Sequence, residues 1–290
     1  MKNVEVYLNH VRPKVARELL QFAKHANFKS GLHGGTSYFL PYTNAQNDDL
    51  GDNYGILYSN VFMSGKGDVD PNTFKKTMEE VWRVFQEGGK VAPVIGYARS
   101  KDGKGIYNPY FNGKDNPYRD LVFVLKAPGQ NLYDLRGYTS FTEKLKERLN
   151  GPKVHYEDAA QTFAHVVLDS KIRPDYSPRN LLYHNSAGFN LVDFNNLSNA
   201  NARHMGNYVR HHAEDFLRAF LMVSNKQLAP EKKKKQSLKP SRKKYYKLAK
   251  EEQKILVSNL YDNGIRERDL DYAISQIVEL DTPSLDALFK

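Results

Sequence analysis

Asp175, Asn180 and Asp193 are the residues of this chain whose types and order suit a chemical task. Asp175 and Asn180 sit five apart, with Tyr176–Ser177–Pro178–Arg179 between them. Asp193 follows after an apolar stretch. Phosphoryl transfer needs a carboxylate that orients a hydroxyl and oxygen ligands that hold magnesium against phosphates. Two carboxylates and a carboxamide in this order meet that need. The plain alternative is a polar hairpin that carries two unrelated aspartates.

The elements between them supply the positioning. Pro178 resists helix and marks a loop. Leu181–Leu182–Tyr183 reads as a short strand, Asn185–Ser186–Ala187–Gly188 as a turn, and Phe189–Asn190–Leu191–Val192 as the returning strand. Folding that hairpin brings Asn180 and Asp193 to one rim. An amphipathic helix expected over Glu157–Ser170 leads into the loop.

The stretch resembles the catalytic core of the protein-kinase-like superfamily, whose catalytic loop H-R-D-L-x-x-x-N is followed by D-F-G. Arg173–Pro174–Asp175 stands in place of H-R-D, and Asn180 has the matching spacing. Asp193–Phe194–Asn195 stands in place of D-F-G. The resemblance implies Asp175 as catalytic base, Asn180 and Asp193 as metal ligands, and ATP with Mg2+ as cofactors. The stretch is also similar to the small-molecule phosphotransferases of that superfamily, whose loops are looser. No A-P-E motif follows Asn195, which argues against the usual activation-loop regulation. Asp215 resembles the acidic residue that braces the catalytic loop from a later helix; the bland reading is a surface aspartate.

The same resemblance gives meaning to segments upstream. Gly31, Gly34 and Gly35 precede an expected strand, Thr36–Leu40, where the family has its glycine-rich loop. Glycines let backbone amides approach phosphates, although the spacing departs from G-x-G-x-x-G and a tight hairpin turn explains them equally. Asp70–Pro71 marks a helix start, Phe74, Met78, Val81, Trp82 and Phe85 form its apolar stripe, and Gly88–Gly89 ends it. The family pairs an acidic residue on this helix with a lysine on the preceding strand. Glu80 is the candidate, ahead of Glu79; both also read as a solvated helix flank. No Lys or Arg occurs between Thr43 and Gly65, so the strand lysine is missing, and Lys29 or Lys66 would have to reach in. Lys126–Ala127–Pro128, at a strand's end, resembles the hinge whose backbone meets adenine; the alternative is an ordinary strand-to-helix turn.

These features imply an α+β, two-lobed kinase-like fold. Residues 1–27 form an N-terminal helical extension, with Val4–Ala26 helical. Residues 28–126 form a sheet-rich, nucleotide-binding lobe with strands at Tyr54–Met63, Val91–Ala98 and Leu121–Leu125. Residues 127–290 form a helical lobe with helices near Tyr208–Val223, Gln253–Leu260 and Asp269–Leu280, and a last short one after Thr282–Pro283.

Composition sets the outer limits. A chain of 290 residues with 40% hydrophobic and 12% aromatic residues can build a sizeable core. It has no cysteine, which excludes disulfides, thiolate metal sites and cysteine nucleophiles. His211–His212, without paired spacing, read as solvated helix histidines rather than metal ligands. Residues 226–254 hold twelve Lys or Arg and three Glu, a net of +9 against +10 for the whole chain. The basicity is thus one local feature, either solvated or able to meet an acidic partner such as nucleic acid or anionic lipid. No apolar run of transmembrane length and no signal peptide is visible, so a cytoplasmic protein, or one delivered by a route without such a signal, is expected. The leading function is ATP- and magnesium-dependent phosphoryl transfer to a hydroxyl of a protein or small molecule. The alternatives are a pseudokinase that acts as a binding or scaffold module, and a nucleic-acid-binding protein that uses the Lys-rich stretch.

Overall fold

A computed structural model describes residues 4–10, 12–27, 32–33, 38–42, 54–59, 71–102, 104–108, 118–131, 154–170, 172, 176, 180–184, 186–192, 205–223, 246–247, 250–277 and 284–290. The chain divides into two units. The first comprises Met1–Gly129, Asp169–Asp175 and Asn190–Ala200, and the second Gln130–Leu168, Tyr176–Phe189 and Asn201–Lys290.

Seven strands form one antiparallel sheet in the first unit: β1 (Val4–Leu8), β2 (Leu32–His33), β3 (Tyr38–Pro41), β4 (Tyr54–Ser59), β5 (Val94–Ser100), β6 (Ile106–Tyr107) and β7 (Tyr118–Leu125). Their order is β1-β5-β7-β4-β3-β2, with β6 paired to β7. Side chains alternate across a pleated strand, so β4 and β7 each serve two faces. Ile56, Tyr58, Leu121 and Phe123 pack with Val15, Leu19 and Ala23 of helix α1 (Pro13–His25). Leu57, Val122 and Val124 turn the other way and pack with Phe74 and Met78 of helix α2 (Pro71–Gln86). The sheet therefore carries one helix on each face. Full burial of a side chain such as Phe74 or Met78 is worth about 1.5–3 kcal/mol.

The helix expected over Val4–Ala26 begins only at Pro13, which occupies its first turn. Val4–Leu8 is strand β1, paired with β5 from Val4↔Ser100 to Leu8↔Gly96. Its sequence Val-Glu-Val-Tyr-Leu alternates with period two, and its ladder partner lies far along the chain. Glu5 and Arg99 form an ion pair across that ladder at 2.8 Å. Gly96 is needed there, because a Cβ would stand 2.6 Å from the Tyr7 carbonyl oxygen. His10, at φ +56°, turns the chain from β1 towards α1.

Helix α2 runs from Pro71 as expected and buries Phe74, Met78 and Val81 of the expected stripe, whereas Phe85 is exposed and Val84 is buried in addition. It ends where Gly88 adopts φ +92° and the Gly89 N–H donates to the Val84 carbonyl at 2.9 Å. The strand expected at Tyr54–Met63 is described over Tyr54–Ser59. That expected at Val91–Ala98 runs instead from Val94 to Ser100, since Val91 leaves the sheet to bridge Leu191.

The second unit is mainly helical. It contains β8 (Gln130–Asn131), α3 (Val154–Ala164) with a π-helical turn over His165–Asp169, and β9 (Leu181–His184). β10 (Gly188–Leu191) follows, and the division between the units falls within it, after Phe189. Then come α4 (Met205–Leu221), β11 (Met222–Val223), β12 (Tyr246–Lys247), α5 (Lys250–Asp262), α6 (Glu267–Ser275) and α7 (Leu285–Phe289). α4 packs on α6 and α3 on α5. Phe163, Leu217, Leu256, Leu260, Leu270 and Ile274 are buried there. Asp269, fully buried on α6, pairs with Arg266 at 2.8 Å and with Arg210 of α4 at 3.5 Å. Met222 and Val223 pair with Lys247 and Tyr246, so the ladder β11–β12 brackets most of the Lys-rich stretch in sequence. The fold class is α+β, as expected. Among the described residues no helix is long and apolar enough to cross a membrane.

Candidate functional site

The hairpin that the sequence places around the candidate site is present. β9 and β10 hydrogen-bond to one another, and Asn180, half-buried in a turn, immediately precedes β9. Leu181, Tyr183 and Phe189 are buried. The turn closes on His184, whose Nδ1 accepts the N–H groups of Ser186 and Ala187, each at 3.3 Å. Gly188, at φ +71°, takes the left-handed conformation that the turn requires.

β8 adds a third strand. Gln130 pairs with Tyr183 and Asn131 with Leu182. β8 begins two residues after Pro128, and Gly129 at φ +116° makes the bend. The segment Lys126–Ala127–Pro128 thus runs directly into a strand that lies beside the Asn180 hairpin. Lys126 and Pro128 are exposed and Ala127 half-buried.

Tyr176, next to Asp175, is an anchor in the second unit's core. Its ring lies 5.3 Å from Phe163 of α3, and 5.7 Å from both Phe216 and His212 of α4. Burial, with Tyr208 and then Asp215 nearby, pushes its phenol well above the ordinary value. Asp215 therefore lies within electrostatic reach of the residue after Asp175. His212 is buried against Tyr176 and Tyr208, which corrects the expectation that both histidines are solvated; His211 alone is exposed. Among the described residues no three His, Asp or Glu side chains converge as a metal site.

On helix α2 of the first unit, Glu80 accepts from Arg83 Nε at 3.2 Å and Nη2 at 3.1 Å. Arg83 spans on to Glu87 at 2.9 Å, and the two carboxylates, Glu87 foremost, raise its pKa. Glu80 is thus paired within its own helix. Glu79 is exposed, and its charge adds to the effect of burial in raising the Tyr7 phenol pKa. β3 and β4 carry no Lys or Arg. On the α2 side, Leu57 and Phe39 pack against the apolar cluster, and the Phe39 ring fills the space over Gly55. Arg119 of β7 lies 5.2 Å over the ring of Tyr38 and 6.0 Å over that of Tyr58, both packed with the α1 side of the sheet.

Gly31, Gly34, Gly35, Asp175 and Asp193 lie outside the described residues. So do Lys29 and Lys66. β2 pairs with β3 on either side of residues 34–37, with Leu32↔Phe39 and His33↔Tyr38. Sequence reasoning missed Asn190, which is 7% exposed and donates its amide to the Pro128 carbonyl at 3.4 Å. Its signal was a lone carboxamide inside an apolar strand.

No family model matches the chain, and no curated protein does. Among solved structures, ROP2 of Toxoplasma gondii, described as a virulence factor with a protein-kinase fold and no enzymatic activity, aligns at 15% identity and a TM-score of 0.31. That alignment covers 57% of this chain and 48% of ROP2, so the chain spans about half its length. A Toxoplasma gondii specific rhoptry antigen kinase domain aligns at 12% identity and a TM-score of 0.37, covering 93% of this chain and 90% of its own.

Proposed function

We propose that the chain is a kinase-like phosphotransferase that moves the γ-phosphate of ATP, with Mg2+, to a hydroxyl of a protein or small molecule. The supporting observation is the three-stranded arrangement of β8, β9 and β10. It joins the strand after Lys126–Pro128 to the hairpin that Asn180 opens and that leads towards Asp193. The donor set suits magnesium, since two carboxylates and a carboxamide are hard oxygen ligands. Asn180 and Asp193 would hold the metal, which when bound neutralises phosphate charge, and Asp175 would take the acceptor's proton. The Lys126–Pro128 backbone would meet the base.

A second reading has its own observation. Glu80 is neutralised by Arg83, and β3 and β4 present apolar side chains to α2 where a phosphate-binding cation would stand. That favours a pseudokinase, a module that binds without turnover. Asp175→Asn and Asp193→Asn separate the two. In an active enzyme Asp193→Asn weakens magnesium-dependent ATP binding, while Asp175→Asn lowers turnover and leaves affinity nearly unchanged. Wild-type protein that binds ATP with magnesium yet transfers no phosphate to any acceptor, water included, selects the pseudokinase. Wild-type protein that binds no nucleotide removes both.

A further inference from the structure

β1 is the outer strand of the first unit's sheet, with β5 on its inner side. In an antiparallel ladder, residue pairs that exchange hydrogen bonds alternate with pairs that do not. The Asn9 N–H donates to the Ile95 carbonyl at 2.8 Å, in the register that sets Tyr7 opposite Tyr97 and Glu5 opposite Arg99. Glu5, Tyr7 and Asn9 therefore turn their backbone groups to β5. Those of Val4, Val6 and Leu8 point out from the edge, where no described residue meets them. Natural sheets blunt such an edge with Lys, Pro, a bulge or a covering element. β1 reads Val-Glu-Val-Tyr-Leu and has neither Lys nor Pro. Val6 is 40% exposed, and Glu5 is neutralised by Arg99.

The strand is complementary to itself. In a second copy run antiparallel about Val6, Val6 stands opposite Val6, Val4 opposite Leu8 and Glu5 opposite Tyr7. Val4 and Leu8 pack on the α1 side of the sheet, and Val6 alternates with Glu5 and Tyr7, so the facing pairs on that side are all aliphatic. On the α2 side, Lys75 holds its Nζ 4.6 Å over the Tyr7 ring. Each Glu5 then arrives beside the other copy's Lys75.

We infer that β1 is a self-association edge, through which two copies of the chain join their sheets as a two-fold dimer. Val4, Val6 and Leu8 exchange backbone hydrogen bonds with Leu8, Val6 and Val4 of the second copy, and Val6 becomes buried. A seam of five residues is small, so the dimer is weak and depends on concentration. The inference does not depend on the phosphotransferase reading.

The test is sedimentation velocity on the full chain from about 1 to about 300 μM, a range in which small interfaces dissociate. Wild type should shift from monomer to dimer. Val6→Lys and Val6→Glu each set like charges opposite one another at the two-fold axis, and each should weaken association by about tenfold or more. Mixed in equal amounts, the two should associate to within about threefold of wild type, because the substituted positions face each other. Val6→Cys keeps the test decisive should a charged variant not fold. The chain has no cysteine of its own, and facing Cα atoms of a hydrogen-bonded pair, about 5.5 Å apart, lie within disulfide reach. Oxidised glutathione should link Val6→Cys into a dimer faster than Tyr261→Cys, an exposed position on α5. Wild type that stays monomeric over the whole range overturns the inference and leaves the edge to an extended segment of another protein. A dimer that survives Val6→Lys overturns it equally. So does a mixture that associates no better than its parts, or Val6→Cys that links no faster than Tyr261→Cys.

Discussion

Replacing Tyr176 by Phe should stabilise the protein, by more in alkali than at neutral pH. The Tyr176 side chain is buried among Phe163, His212 and Phe216, and its hydroxyl has no hydrogen-bond partner among the described residues. A buried hydroxyl without a partner costs about 1–3 kcal/mol, so Tyr176→Phe, which keeps the ring, should gain about 1 kcal/mol at pH 7. The pH dependence follows from linkage. Burial raises the phenol's folded-state pKa, whereas the unfolded chain ionises it near pH 10. Above that pH the unfolded state binds fewer protons than the native state, so stability falls as pH rises towards the folded pKa. The loss in the wild type reaches about 1.4 kcal/mol at pH 11, and Tyr176→Phe escapes it. Urea unfolding of both proteins at pH 7 and pH 11 should therefore show the variant's advantage growing from about 1 to about 2.4 kcal/mol. An advantage that is absent at pH 7 and unchanged at pH 11 refutes the argument, and means the hydroxyl is hydrated or bonded in solution.

Tyr58 should respond in the opposite sense at neutral pH. Its hydroxyl donates to the Ile106 carbonyl at 3.0 Å, so Tyr58→Phe should cost about 1 kcal/mol, checked by urea unfolding at pH 7. Gly89→Ala would place a Cβ 2.5 Å from Val84 Cγ1 and 2.9 Å from the Val84 carbonyl oxygen, and should destabilise by about 1–3 kcal/mol. An unchanged melting temperature would show that the α2 exit relaxes freely.

The elements that were legible carry their own signals. The β9–β10 hairpin shows as two apolar runs around a turn cluster, and α2 as a proline start, a stripe at helical spacing and a glycine pair. The elements that were not legible depend on distant partners. Val4–Leu8 reads as helix because a helix follows it; only β5 makes it a strand. His212 reads as solvated because its neighbour is, yet one step along α4 turns it towards Tyr176. Glu80 is the instructive case, because Arg83 stands three residues on, a spacing that by itself predicts an ion pair on one helix face. That local pairing was open to view, and it competes with the long-range role that the resemblance assigns to Glu80.

The competition matters because it bears on where positive charge comes from. On the proposed reading, oxygen donors such as Asp175, Asn180 and Asp193 would attract a cation and repel phosphates, and would hold a nucleotide only through a metal. A lysine on β4 would share that task, but the positions on the α2 side are Leu57, Ser59 and a glycine covered by Phe39. Arg119 is the cation of the neighbouring strand, and it lies over Tyr38 and Tyr58 on the α1 side. Turning it through the sheet would reverse its alternation with Leu121 and Phe123, which the register with β4 fixes. The other sheet cation, Arg99 of β5, is paired with Glu5 at 2.8 Å, and among the described residues β3, β4 and β7 offer the α2 side no Lys or Arg. On the proposed phosphotransferase reading, magnesium would then be the main positive charge at the site, and nucleotide affinity should depend on it more steeply than in a site with its own lysine.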